Sequence, residues 1–328
     1  MRIDKDKSSS TFLNFFKRPE AGVLIATIVL FTFFSIGSDI FLSPPVLSNI
    51  LLLSAELGMI AIGVTLLMIA GEFDLSVGSV MGLSSAIMIL MLNSGFPAPV
   101  SMISAILICT CIGVTNGLLV TRLRIHSLII TLAGLMFYRA FVLYITAGYP
   151  LRLTEKYTFL KFFYFRWDFM GITIPGTFLW FLLFLIILAI ILGTTKFGNW
   201  VFAAGGNPEA AKGMGVPVMR VKIMCFALAS TMAALAGCIQ GARYNSVDAL
   251  RGVGIELEAV FCVVVGGAAL TGGYGSIIGA ALGVIIISIV KQGLVLMDIP
   301  AYWFRAGIGV VLVVAAVINQ KVRESSSK

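Results

Sequence analysis

Apolar runs, each about as long as a membrane-crossing helix and separated by short polar punctuation, dominate the chain. They lie near residues 21–42, 46–70, 75–92, 99–121, 127–147, 174–193, 222–242, 255–271, 275–296 and 301–319. A bilayer core about 30 Å thick needs roughly 20 apolar residues at a rise of about 1.5 Å each. The pattern therefore predicts an all-α, polytopic helical membrane protein with about ten transmembrane helices. The first run is too long for a signal-peptide core and shows no small-x-small cleavage site, so it reads as a retained span. The expected organisation is a polar tail over residues 1–20, a transmembrane domain over 21–320 and a short tail over 321–328.

Two stretches interrupt the pattern where a helix should be crossing or turning. GEFDLSVGS (Gly71 to Ser79) and the glycine-rich Gly266 to Ser276 segment each read as a tight turn or as a broken helix. Irregular backbone at membrane depth survives only where protein or a wet cavity satisfies its N–H and C=O groups, so neither reading leaves them facing lipid. GSVMG at 78–82 recurs as GSIIG at 275–279, which suggests two weakly repeated halves near 46–147 and 222–319. Gly275, Gly279 and Gly283 form a small-residue stripe on one helix face, a packing device between helices rather than a ligand site.

Composition narrows the chemistry. Of 328 residues, 59% are hydrophobic and 12% charged, and the mean hydropathy is +1.05, which argues against a soluble enzyme. The net charge of +8 would suit nucleic acid in a soluble protein; here the positive-inside bias accounts for it, with 14 of the 23 Lys and Arg falling in segments that are cytoplasmic when both termini are inside. His126 is the single histidine, and Cys109, Cys111, Cys225, Cys238 and Cys262 sit in apolar stretches without a CxxC pair. No metal site, catalytic group or cofactor is expected. GxxxxGK[ST] is absent, so any ATP that drives transport is hydrolysed by another polypeptide.

Three segments carry candidate function. Glu72, Asp74, Ser76, Gly78 and Ser79 place polar groups between two apolar runs, where carboxylates are costly unless they face water or a partner. They read either as a polar constriction in a solute path or as a plain turn, with Asp74 able to cap a helix beginning at Leu75. AAGGNPEAAKGMGVP (203–217) lies within the longest cytoplasmic stretch, about 194–222. It has the punctuation of a very short helix: Asn207 to cap, Pro208 at the first position, Glu209 on the dipole and Gly213 or Gly215 to stop. Such a helix buries too little to hold itself, and reads either as a plug for a partner's groove or as an ordinary structured loop. The aromatic loop near 148–171 reads as an interfacial belt, and its Arg152, Lys156, Lys161 and Arg166, together with Arg243 and Arg251, also read as a basic outer rim suited to an acidic partner.

These residues are similar to a family. GEFDLSVGSVMGLS, AAGGNPEAAKGMGV and ELEAVFCVVVGGAALTGGYGSIIGAALG, in this order and spacing, resemble the permease subunit of bacterial monosaccharide ABC importers, the ribose, xylose, galactose and autoinducer-2 group. The resemblance covers nearly all of the chain after residue 45. It implies a multi-pass inner-membrane permease working as a homodimer or heterodimer. An ATP-binding subunit would sit below it, and a periplasmic or lipid-anchored sugar-binding protein would dock outside. It further implies that Gly206, Asn207, Pro208, Glu209, Ala210, Ala211, Lys212 and Gly213 form the helix that couples to the ATPase, and that Gly71 to Ser79 lies near the translocation path. Glu72 and Phe73 replace the family's more usual Gly and Ile. The competing expectation is an ion-coupled secondary transporter. Its titratable relay would draw on Glu56, Arg139, Glu256, Glu258 and Arg305.

Overall fold

The computed structural model describes residues 19–300 together with 303, 304, 306, 307, 309 and 310. In chain order the elements begin with α1 (Pro19–Gly37), α2 (Pro44–Ile69), α3 (Val77–Asn93), α4 (Ala98–Leu123), α5 (Ser127–Thr146) and β1 (Leu151–Arg152). There follow α6 (Thr158–Tyr164), a hairpin of β2 (Arg166–Phe169) and β3 (Ile172–Pro175), α7 (Gly176–Thr194), α8 (Lys196–Gly206) and α9 (Pro208–Gly213). The chain continues through α10 (Val218–Tyr244), β4 (Ser246–Val247), α11 (Ile255–Val265) and α12 (Ile277–Leu296). β1 pairs antiparallel with β4, and β2 with β3.

Among the described residues, α2, α4, α5, α7, α10 and α12 are long and apolar enough to cross a membrane, and Gly22–Gly37 and Val77–Asn93 are shorter apolar helices. The ninth expected span is cut short: α11 ends at Val265 after 11 residues, about 16 Å, which is half a bilayer core. The tenth, 301–319, lies almost wholly outside the described residues, as do the two expected tails apart from residues 19 and 20. The helical class holds, with six helices of spanning length and several shorter ones among the described residues.

Both expected interruptions are present, and they are built alike. At the end of α2, Gly71 (φ +80°) turns the chain left-handed, and the N–H groups of Gly71 and Glu72 close back on the carbonyls of Met68 and Leu67. At the end of α11, Gly267 (φ +92°) does the same, with its own N–H on Val264 and that of Ala268 on Val263. This paired closure satisfies the last helical carbonyls and needs a residue that tolerates positive φ, which glycine does without strain.

The interruptions meet at one end of the molecule, with the end of α8 between them. Gly273 N–H donates to the Ile69 carbonyl at 2.8 Å. A Cβ on Gly272 would stand 2.6 Å from Gly71 Cα, one on Gly273 2.5 Å from Gly206 Cα, and one on Gly205 would strike the Ile69 carbonyl. Backbone therefore rests directly on backbone across three segments. Elsewhere small residues set the helix spacing. Gly237 of α10 lies against the Met81 carbonyl of α3, Gly117 of α4 lies 2.9 Å from Ile223 Cα as its would-be Cβ is placed, and Gly279 and Gly283 of α12 lie against carbonyls of Gly266 and Cys262. Gly279 and Gly283 of the expected stripe thus pack α12 on α11, whereas Gly275 precedes α12 and lies against Ile69 of α2 and Ala268.

Gly205→Ala is expected to cost about 1–3 kcal/mol, because the new methyl meets backbone that no rotamer change can clear. Gly193→Ala, with nothing within 4 Å of the new Cβ, serves as the control. Unfolding midpoints in detergent are expected to fall for the first and hold for the second.

Candidate translocation and coupling site

Residues 70–76 run without helix from α2 to α3, yet Asp74, Ser76 and Ser79 are fully buried. A local turn holds the stretch: Asp74 Oδ1 accepts from Ser76 N–H at 2.8 Å and from the Ser76 hydroxyl at 2.6 Å. Asp74 Oδ1 thus takes the N–H two residues on, as a capping residue does, while α3 as described begins at Val77 with Ser76 before it. A hydrogen-bonded chain then leads outward from the turn. Asn116 Nδ2 of α4 donates to Ser76 Oγ at 3.0 Å, and Tyr138 OH of α5 donates to Asn116 Oδ1 at 2.7 Å. Phe73 N–H is taken by Ser127 Oγ at 3.1 Å, and the Ser79 hydroxyl donates to the Leu135 carbonyl at 2.8 Å. Asp74 Oδ2 is buried without a partner among the described residues.

Asn116 lies seven residues before the end of α4, so the turn reaches about 10 Å past that helix end. Glu72, nearer the end, is nearly buried and receives Lys222 Nζ of α10 at 2.5 Å.

The start of α3 sits against the start of α11. Gly78 leaves room for the Gly252 carbonyl and the Glu256 carboxylate, and Gly82 for the Arg251 carbonyl. Arg139 of α5 donates to the carbonyls of Ala249 and Arg251, the latter at 2.6 Å. Glu256 Oε1 accepts from Gly254 N–H at 3.1 Å. Two helix N-termini thus converge in the interior, with a carboxylate on their positive ends and a guanidinium on the carbonyls of the entering loop.

At the far end of this polar seam, Glu56 of α2 takes Arg243 and Gln240 of α10, and Arg251 Nη1 donates to Gln240 Oε1 at 3.1 Å. Both guanidinium groups also lie over the Tyr244 ring. Of the four arginines expected on an outer rim, Arg152 and Arg166 are exposed while Arg243 and Arg251 are turned toward this network. Glu258 pairs with Lys291 between α11 and α12. Each buried carboxylate of the expected ion relay is therefore held by a cation or a backbone N–H; Arg305 lies outside the described residues.

The short helix forms as its residues dictate. Asn207 Oδ1 accepts from Ala210 N–H at 3.0 Å, Pro208 opens α9, and Gly213 is its last residue. Ala211 is buried beneath it, whereas the Glu209 and Lys212 side chains are 84% and 55% exposed and pair at 2.9 Å. The hydrogen bond and charge of Lys212 hold the Glu209 carboxyl below its usual range. Met214, 86% exposed, extends the knob. α9 follows Gly205 and Gly206 by one residue, so the exposed knob is joined to the point where both interruptions touch.

Asn116, Tyr138, Ser127 and Lys222 were not singled out in the sequence. Asn116 carried a usable signal, a lone amide inside an apolar run; Lys222 resembled an ordinary cytoplasmic cation.

Residues 46–316 match the family model described as branched-chain amino acid transport system / permease component. Among similar proteins, the xylose/arabinose import permease protein XylH of Sulfolobus acidocaldarius is 35% identical, with 96% of this chain and 89% of that protein covered. The ribose import permease protein RbsC of Bacillus subtilis is 36% identical, covering 92% of each. The autoinducer 2 import system permease protein LsrC of Photorhabdus luminescens is 34% identical, covering 93% and 90%. No solved structure matches the chain significantly.

Asn116→Leu removes the acceptor of the Tyr138 hydroxyl and the donor to Ser76 Oγ, which keeps its bond to Asp74, and is expected to cost about 1–3 kcal/mol. Tyr138→Phe is expected to cost about 1 kcal/mol. Combined, they should cost less than their sum, since one hydrogen bond is lost only once. Denaturant unfolding of the purified variants reads all three.

Proposed function

This chain belongs to the branched-chain amino acid transport system / permease component family, and we propose that it builds the membrane path of an ATP-driven importer for a monosaccharide or similar polyol-like solute. Its relatives' names specify import of xylose and arabinose, ribose, and autoinducer 2. Like them it is a transport subunit, with ATP hydrolysis in a partner and solute delivered by an external binding protein.

In this reading the α9 end faces the cytoplasm, as do both termini, and the hairpin end faces outward. Gly206 to Gly213, with Asn207 and Glu209 at its tip, docks into the ATP-binding subunit. Glu72, Asp74, Ser76, Gly78 and Ser79 border the path, which a second permease copy, identical or related, completes. The path is weakly binding: hydroxyl groups of a neutral sugar need partners, but Asp74 and Ser76 already hold each other. Selectivity then rests mainly with the binding protein, and Arg152 and Arg166 are the exposed cations available to dock it. Arg243 and Arg251 support that face from behind.

One observation carries the reading. The exposed α9 knob is one residue from a backbone contact that joins both interrupted helices, so a displacement of α9 reaches both at once.

Replacing Glu209 and Lys212 together by alanine tests it. The pair is exposed, and a surface ion pair adds little stability, so the permease should fold normally. Co-purification of the ATP-binding subunit is expected to fall, and sugar uptake in reconstituted vesicles to drop about tenfold or more. Unchanged values for both would remove α9 from the coupling role.

A further inference from the structure

The hairpin end holds a cavity of about 760 Å³ between the first turns of α2 and α7, helix α6, the β2–β3 hairpin and the end of α10. Its lining is cationic and lacks a carboxylate: Lys161, Arg166 and Arg243 all border it, while of the acids nearby Glu56 stands behind Arg243 and is taken by it, and Asp168 accepts from the Thr173 hydroxyl. Lys161 and Arg166 are exposed and enter no ion pair among the described residues.

Two further features point the same way. The first turn of α7 has no side-chain cap, and although the Phe165 carbonyl takes the Gly176 N–H, Pro175 and Thr177 bring this positive end to the cavity wall. Thr177, in that turn, is 1% exposed and its hydroxyl has no partner; Arg243 Nε is likewise buried and unpartnered. A buried hydroxyl left without a hydrogen bond costs about 1–3 kcal/mol, and an oxygen-rich anion in the cavity would remove that cost. Ser48, Asn49, Tyr164 and Thr173 in the lining can accept as well as donate, but the three cations only donate and favour an acceptor-rich anion over a neutral polyol. A phosphate group can accept from several such donors at once.

We propose that this cavity binds a phosphate group, carried by the headgroup of an anionic lipid or by a soluble phosphate ester. Pro44, Pro45, Leu52 and Phe165 supply an apolar wall beside the cations, and exposed Phe159, Phe162 and Trp167 flank it in the manner of residues at a membrane interface. The site is separate from the proposed path at residues 71–79 and does not depend on the identity of the imported solute.

The test uses the purified full chain in an uncharged detergent, with the thermal unfolding midpoint as readout. Phosphatidylglycerol, phosphatidylcholine, glycerol phosphate and inorganic phosphate are titrated separately against chloride at matched ionic strength. Phosphatidylglycerol or glycerol phosphate is expected to raise the midpoint saturably. A response to the lipid alone identifies a headgroup, and a response to the soluble ester identifies a free ligand. Lys161→Gln is expected to weaken the apparent affinity about tenfold, the loss of one charge-assisted hydrogen bond. Thr177→Val is expected to raise the midpoint without ligand, because the orphan hydroxyl is gone, and to reduce the shift with ligand. If neither phosphate compound acts beyond the chloride control, as an acidic protein side chain in the cavity would also predict, the proposal fails. It fails equally if both variants respond as the wild type does.

Discussion

A helix that stops leaves its last carbonyls in need of partners, and two of this chain's helices stop where they meet at one end of the molecule. The remedy is a contact of backbone on backbone. Gly71 and Gly267 fold the last carbonyls of α2 and α11 back on their own chain, and the Ile69 carbonyl takes the N–H of Gly273 from the other interruption. The approach is close enough that side chains at Gly205, Gly272 or Gly273 would overlap neighbouring backbone. Everything that follows requires this arrangement: the buried polar turn at residues 72–76, the half-length α11, and the seating of α8 and α9 beneath them.

The few charges are spent on the same problem. Glu72 joins the first interruption to α10, Glu56 joins α2 to α10, Glu258 joins α11 to α12, and Arg139 closes the carbonyls of the loop that enters α11. Each connects elements far apart in sequence. Removing one partner of a buried pair strands the other, typically at 3–5 kcal/mol, so these contacts specify which helices meet. The pair on α9 is the exception, three residues apart and exposed, and fixes no tertiary neighbour.

What the sequence disclosed was local chemistry. The two interruptions, the Asn207 cap, the Pro208 start and the packing role of Gly279 and Gly283 all follow from residues within a few positions of each other, where propensity and period act. What it hid was long-range. Arg243 looked like an outward-facing cation because its partner, Glu56, is 187 residues away. Asp74 showed its local bond to Ser76 but not that the same turn is held by Asn116, 40 residues on from Ser76. The half-length of α11 was hidden for a different reason. Its apolar run continues through Gly266 to Ala269, so the glycines of 266–276 marked an interruption while hydropathy did not place its start at Gly267.

Rigidity follows from the kind of contact involved. A side chain between two helices can absorb a small displacement by changing rotamer, whereas backbone against backbone has no such freedom. Asn207, in extended conformation between α8 and α9, is the nearest place where the chain can bend. Beyond it, α8 ends in Gly205 and Gly206 against Ile69 and Gly273. A movement imposed on α9 is therefore either taken up at Asn207 or passed on undiminished to both interruptions. Because Asn207 Oδ1 is committed to the Ala210 N–H, bending there breaks the helix cap, at about 1 kcal/mol. The cap thus biases the joint toward passing movement on, which gives the Asn207 side chain a mechanical role beyond starting a helix of six residues.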